Sequence, residues 1–128
     1  AISYHDISLP LSEIAGFLDE APALLNREGP FRINAFGHLG DGNLHFNLFA
    51  PKGETRDAYL PRRAALARIV YDLVEARGGS FSAEHGVGRL KVDDLARYGD
   101  PGKLAAMAAL KGALDPNGIL NPGVMGQG

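Results

Sequence analysis

The stretch Gly37-His38-Leu39-Gly40-Asp41-Gly42-Asn43-Leu44-His45-Phe46-Asn47 decides how the chain is read. Asp-Gly is a favoured pair for a two-residue β-turn, so Asp41-Gly42 predicts a hairpin between a strand ending near Phe36 and one over Leu44 to Phe49. In that register Gly40 faces Asn43, Leu39 faces Leu44 and His38 faces His45. Directly opposed residues share a face of the sheet, with Cβ atoms about 5 Å apart. Asn47, two residues past His45, shares that face too. Leu39, Leu44, Phe46 and Leu48 then line the other face and suit a core. Two imidazoles so placed can share one metal ion. They can equally be ordinary hairpin histidines with solvated rings, and a one-residue change in turn length would undo the pairing.

Working outward, Ile2 to Leu9 alternates and reads as a strand closed by Pro10. Ser12 is suited to cap a helix with Leu11, Ile14, Ala15 and Leu18 on one face, continuing to about Asn26. Phe31 to Phe36 is a second strand. A long helix is expected over 55–77, its stripe made of Leu66, Ile69, Val70, Leu73 and Val74, with Gly78-Gly79 ending it. A short helix is expected from about Arg89 to Arg97. Asp100-Pro101 opens another, which runs to about Leu114 and stops at Asp115-Pro116-Asn117-Gly118. The tail from Ile119 to Gly128 should be extended or irregular. The order β-α-β-β-α followed by helices indicates an α+β fold, an antiparallel sheet with helices packed on one face.

A second polar segment, Ser82-Ala83-Glu84-His85-Gly86-Val87-Gly88-Arg89, sets a carboxylate beside an imidazole. Glu84 can complete a His-His-carboxylate ligand set with His38 and His45. His85 would then stay free as a general base, since an unperturbed imidazole titrates near 6.5. The plainer alternative is a salt-bridged Glu, a surface His and glycines that serve only a turn. Gly86-Val87-Gly88 is not a dinucleotide fingerprint, because Lys91 stands where the third glycine is needed. His5 has no partner close in sequence and is expected to be structural.

Composition narrows the classes. The 128 residues suit one domain with one core. The 45% apolar and 22% charged fractions are those of a soluble globular chain. A net charge of -2 without runs of like charge gives no reason to expect nucleic acid as a partner. With no cysteine, any metal must be held by histidine, carboxylate, amide or water. Residues 1–20 lack a signal peptide pattern, so a cytoplasmic location is the expectation.

Together the stretches 37–47, 82–91 and Leu114-Asp115-Pro116-Asn117-Gly118-Ile119-Leu120-Asn121-Pro122-Gly123, with the opening His5-Asp6-Ile7-Ser8-Leu9-Pro10, resemble the C-terminal domain of FAD-linked oxidases of the vanillyl-alcohol oxidase superfamily. The likeness covers nearly the whole chain and is nearest to the branch acting on D-2-hydroxyglutarate, D-lactate or glycolate. It implies a sheet corresponding to the ferredoxin-like half of that family's cap domain. It also implies FAD, bound mainly by an upstream flavin-binding domain on the order of 200 residues, and a divalent metal, zinc in many members. By the same resemblance His38, His45 and Glu84 match metal ligands, Asn47 matches a substrate-contacting position, His85 the catalytic base, and Asn121 a tail residue reaching the flavin. Several 2-hydroxyglutarate-type members carry a carboxylate-binding lysine where this chain has Tyr4, which sets it apart from them. The implied partners are a small anionic 2-hydroxyacid and the upstream domain, with homo-oligomers allowed. Two other classes stay open: a small zinc hydrolase using the same ligands, and a non-catalytic α+β binding module.

Overall fold

A computed structural model describes residues 1–124, and the chain forms two compact units in it, Ala1–His85 and the segment from Gly86 onward. The last four residues of the expected irregular tail lie outside the described residues.

The first unit is built on strands β1 (Ser3–Ser8), β2 (Arg32–Phe36) and β3 (Asn43–Phe49), with helices α1 (Ile14–Asn26) and α2 (Arg63–Ala76). The sheet is antiparallel in the order β1-β3-β2. Alternation sorts the side chains: Ser3, His5 and Ile7 of β1 share a face with Leu44, Phe46 and Leu48 of the central strand. Both helices cover that face. Phe17 of α1 meets the Phe46 ring edge-on at 5.2 Å, and Tyr71 of α2 meets the His5 ring at 5.3 Å. Helix α1 buries Ile14, Phe17, Ala21 and Leu25, and α2 buries Leu66, Val70, Leu73 and Val74, each set at helical spacing. Each large side chain so buried contributes about 1.5–3 kcal/mol. His5 belongs to this core: it is buried, and its Nε2 lies 2.8 Å from Ser3 Oγ.

Ser12 does not cap α1, because Leu11–Glu13 form a 3-10 turn ahead of it with no side-chain cap bond, and of the expected face Leu11, Ile14, Ala15 and Leu18 only Ile14 is buried. Two further expectations need correction. The β2–β3 connection is not a two-residue turn. Phe36, not His38, faces His45. A type I′ turn needs positive φ at both central residues, and here Gly42 has it (+76°) while Asp41 does not. The chain instead turns through a 3-10 stretch, Leu39–Asp41. There the His38 carbonyl accepts from Asp41 N at 3.0 Å and Asn43 N at 3.2 Å, and the Leu39 carbonyl accepts from Gly42 N at 3.0 Å. Leu39 is consequently half-exposed rather than in the core. The second correction concerns the helix expected over 55–77. Residues Arg56–Arg62 form a 3-10 stretch containing Pro61, and only Arg63–Ala76 is α-helical. Proline has no N–H to donate and its ring clashes with the preceding turn.

The second unit holds α3 (Val92–Tyr98) and α4 (Pro101–Leu114). Asp100 caps α4 by accepting from Lys103 N at 2.8 Å. Beyond α4 the Asp115 carboxylate gathers the chain. It pairs with Lys111 Nζ at 2.5 Å and accepts from Ile119 N at 3.1 Å and Leu120 N at 3.0 Å. These contacts hold its carboxyl below the usual range, the Lys111 ammonium first and the Leu120 N–H next. Leu95, Leu104, Met107, Ala108 and Leu120 help line an open apolar cavity of about 660 Å³ within this unit. Among the described residues, no helix is long and apolar enough to cross a membrane.

Candidate functional site

The face of the sheet away from the helices is polar. Cross-strand register places Asp6, His45 and Phe36 in one row, and Tyr4, Asn47 and Asn34 in the next. Asn47 therefore shares a face with His45, as the strand period requires. Phe36 lies against the His45 ring, centroids 5.1 Å apart.

The segment after α2 returns along the outer edge of β1. Ser8 and Ser80 exchange backbone bonds of 3.0 and 2.9 Å, and Ala83 N donates to the Asp6 carbonyl at 3.0 Å. Gly79 allows this approach, since a Cβ there would stand 2.2 Å from the Ser8 carbonyl oxygen. The Asp6 carboxylate then takes hold of the next two residues. Its Oδ2 accepts from Glu84 N at 2.8 Å and from His85 N at 3.0 Å. Its Oδ1 lies 3.7 Å from His45 Nδ1. The His85 ring reaches the same place, with its centroid 6.3 Å from that of His45.

The expected ligands His38, His45 and Glu84 are divided between two contacts. His38 Nδ1 lies 3.6 Å from Glu84 Oε1, which also accepts from Asn43 Nδ2 at 2.9 Å. His45 is beside Asp6 instead, and with His85 they form a second group whose ligand atoms all lie within 4.8 Å of one another. Donors on one tetrahedral zinc stand roughly 3.4 Å apart at bond lengths near 2.1 Å. Small side-chain shifts would therefore bring imidazole and carboxylate donors onto one ion, and the donor set fits a divalent cation. Asp6 and Asn43 were not singled out in the sequence. The signal for Asp6 was available, because its parity in β1 places it on the His45 face rather than the core face.

Asn121, the expected flavin-side residue, lies in the second unit. Its φ of +46° is in the left-handed region that asparagine tolerates. Its carbonyl accepts from Val124 N at 3.2 Å, and it lines the apolar cavity of that unit.

With this geometry in view, comparison with known proteins defines the class. Residues 1–125 match the family described as FAD linked oxidases, C-terminal domain, and the chain belongs to that family. Among its relatives, D-2-hydroxyglutarate dehydrogenase of Stutzerimonas stutzeri is 41% identical over 120 residues, 93% of this chain and 26% of the relative. The mitochondrial D-2-hydroxyglutarate dehydrogenase of Arabidopsis thaliana is 39% identical over 123 residues, 95% of this chain and 21% of the relative. A D-lactate dehydrogenase of Anaerostipes hadrus is 37% identical over 119 residues, 92% of this chain and 24% of the relative. The chain thus spans about a quarter of the length of these relatives or slightly less.

Proposed function

We propose that this chain is the substrate-side, C-terminal domain of an FAD-dependent dehydrogenase that oxidises a small 2-hydroxyacid to the 2-oxoacid. The observation that carries the reading is the meeting of His45, His85 and Asp6 beside Asn47 on the face of the sheet away from the helices, in a chain of the FAD-linked oxidase family. An upstream flavin-binding domain is the partner this reading requires.

His38, His45 and Glu84 are the residues proposed to hold a divalent metal, zinc in the first instance, supported by the His38–Glu84 contact and by the anchoring of Glu84 next to the His45 row. Such an ion would supply Lewis acidity toward the substrate's oxygens. His85 then takes the proton from the C2 hydroxyl, since its imidazole stands beside His45 and is not one of the proposed ligands. Asn47 has an amide to donate to the acid and orients it above the sheet. Bound flavin would supply the two-electron acceptor for the oxidation at C2. Asn121 is proposed to reach the flavin from the tail.

One observation favours a second ligand set, Asp6, His45 and His85, because these lie within 4.8 Å of one another. It would remove His85 from its role as base, so the two sets differ in what loss of His85 does.

The reaction is tested on the flavin-loaded parent enzyme by anaerobic bleaching with D-2-hydroxyglutarate, D-lactate and glycolate. The wild type should bleach with at least one of them, and His85→Ala should retain flavin yet bleach slower by about 10²–10⁴-fold. Bleaching at the wild-type rate in that variant would remove His85 from the mechanism.

A further inference from the structure

We infer that Asp6 is the positioning residue of this site, a single carboxylate that sets the base segment and the metal-side histidine relative to each other. The inference rests on the dehydrogenase reading for its activity readout, but the geometry that motivates it is independent of that reading.

The Asp6 side chain is nearly buried and contributes nothing to the apolar core, which lies on the opposite face of β1. A carboxylate in such a place is retained at a cost unless charged or hydrogen-bonding partners compensate it. Here both oxygens are directed at the site. Oδ2 receives two consecutive backbone N–H groups, those of Glu84 and His85. Two N–H groups on one oxygen fix the path of the backbone at these residues, and so the origin of each side chain. Oδ1 faces His45 Nδ1 at 3.7 Å. The carboxylate therefore lies against the Nδ1 side of the ring and limits where that imidazole can sit. The Asp6 carbonyl adds a third anchor through Ala83 N. Among the described residues, the segment carrying Glu84 and His85 pairs as a strand only at the Ser8–Ser80 bridge. Phe81 packs against Tyr71 at the start of the segment, and Asp6 holds the backbone where Glu84 and His85 stand. Reacting groups displaced by about 1 Å lose on the order of 10²-fold in rate, so a residue that touches no substrate can still govern turnover.

The test uses the flavin-loaded parent enzyme carrying Asp6→Asn, Asp6→Ala or Asp6→Glu, with rates expressed per bound flavin. Asp6→Asn keeps an oxygen able to accept both N–H groups. It should retain slow amide exchange at Glu84 and His85 and lose roughly tenfold or less in kcat. Asp6→Ala should lose exchange protection at those two amides while the β1–β3 amides keep theirs, with kcat down by roughly 10²-fold and KM changed less. Asp6→Glu keeps the charge but moves the carboxylate by about 1.5 Å, one bond length. It should also lose at least roughly tenfold in kcat, and it carries the test alone if Asp6→Ala does not fold. Wild-type kcat per flavin in Asp6→Glu, or Asp6→Asn no better than Asp6→Ala, would overturn the inference. A wild-type enzyme that bleaches with none of the hydroxyacids would sink the reaction assignment instead. The exchange pattern at Glu84 and His85 would still decide the positioning role.

Discussion

Replacing Gly42 by alanine probes the turn that brings β3 to the site. Gly42 closes the 3-10 stretch at φ +76°, and its carbonyl accepts from Leu9 N at 2.9 Å, tying the turn to the end of β1. An added Cβ would stand 2.3 Å from the Leu9 carbonyl oxygen, a backbone atom that cannot swing aside. Left-handed backbone costs an ordinary L-residue about 1–2 kcal/mol, and separating the Leu9–Gly42 contact forfeits about 0.5–1.5 kcal/mol more. Gly42→Ala should therefore destabilise the first unit by about 1.5–3.5 kcal/mol, a large share of the roughly 5–15 kcal/mol typical of a domain. Gly40→Ala is the matched control two residues away. A Cβ there meets nothing within 4 Å, and it should change stability by less than about 0.5 kcal/mol. Urea unfolding of the two variants, compared through midpoint and slope, reads the difference. Because His38 and Asn43, at the two ends of this turn, both contact Glu84, resonances of Glu84 should also shift in Gly42→Ala and stay put in the control. Equal stability of the two variants would refute the strained-turn reasoning and the register built on it.

Further outcomes follow from the core and the tail. Phe17 is fully buried against Phe46, so Phe17→Ala should cost about 3–5 kcal/mol in urea unfolding; a loss under about 1 kcal/mol would mean that α1 does not cover the sheet. Asp115 has a carboxyl lowered from 3.8, with Lys111 as the first cause. A lowered folded value stabilises the native state above the unfolded value, and that contribution fades as pH falls below 3.8 and through the folded value. Protection of the Ile119 and Leu120 amides, measured relative to their intrinsic exchange rates at each pH, should therefore fall in that acid window. Asp115→Asn should remove most of this acid dependence, and an unchanged acid response in the variant would contradict the assignment.

Much of this was legible in the residues. The alternation in 2–9 and 44–49 located two strands and the sheet faces, and Asp100-Pro101 marked the start of α4. The turn was harder. Asp41-Gly42 carries a strong two-residue signal, yet i→i+3 bonding from His38 and Leu39 lengthened the connection and changed which residue faces His45. Pro61 falls inside the span expected as one helix, and the α-helical ladder begins only after it, at Arg63. Asn47 was placed correctly because strand parity survives a change of turn length, whereas the cross-strand partner of His45 does not. Asp6 escaped notice because its partners, Glu84 and His85, are some 80 residues away in sequence. Only the return of the chain along β1 brings them together.

The division of labour between ligands and base is tested most directly by zinc titration of the wild-type chain and single variants in a calorimeter. If His38, His45 and Glu84 hold the ion while His85 stands apart, His38→Ala and Glu84→Gln should each weaken binding by more than roughly tenfold, and His85→Ala should leave it within about twofold. Loss of binding in His85→Ala, with His38→Ala and Glu84→Gln unaffected, would place the imidazole at 85 on the metal and contradict its role as the base.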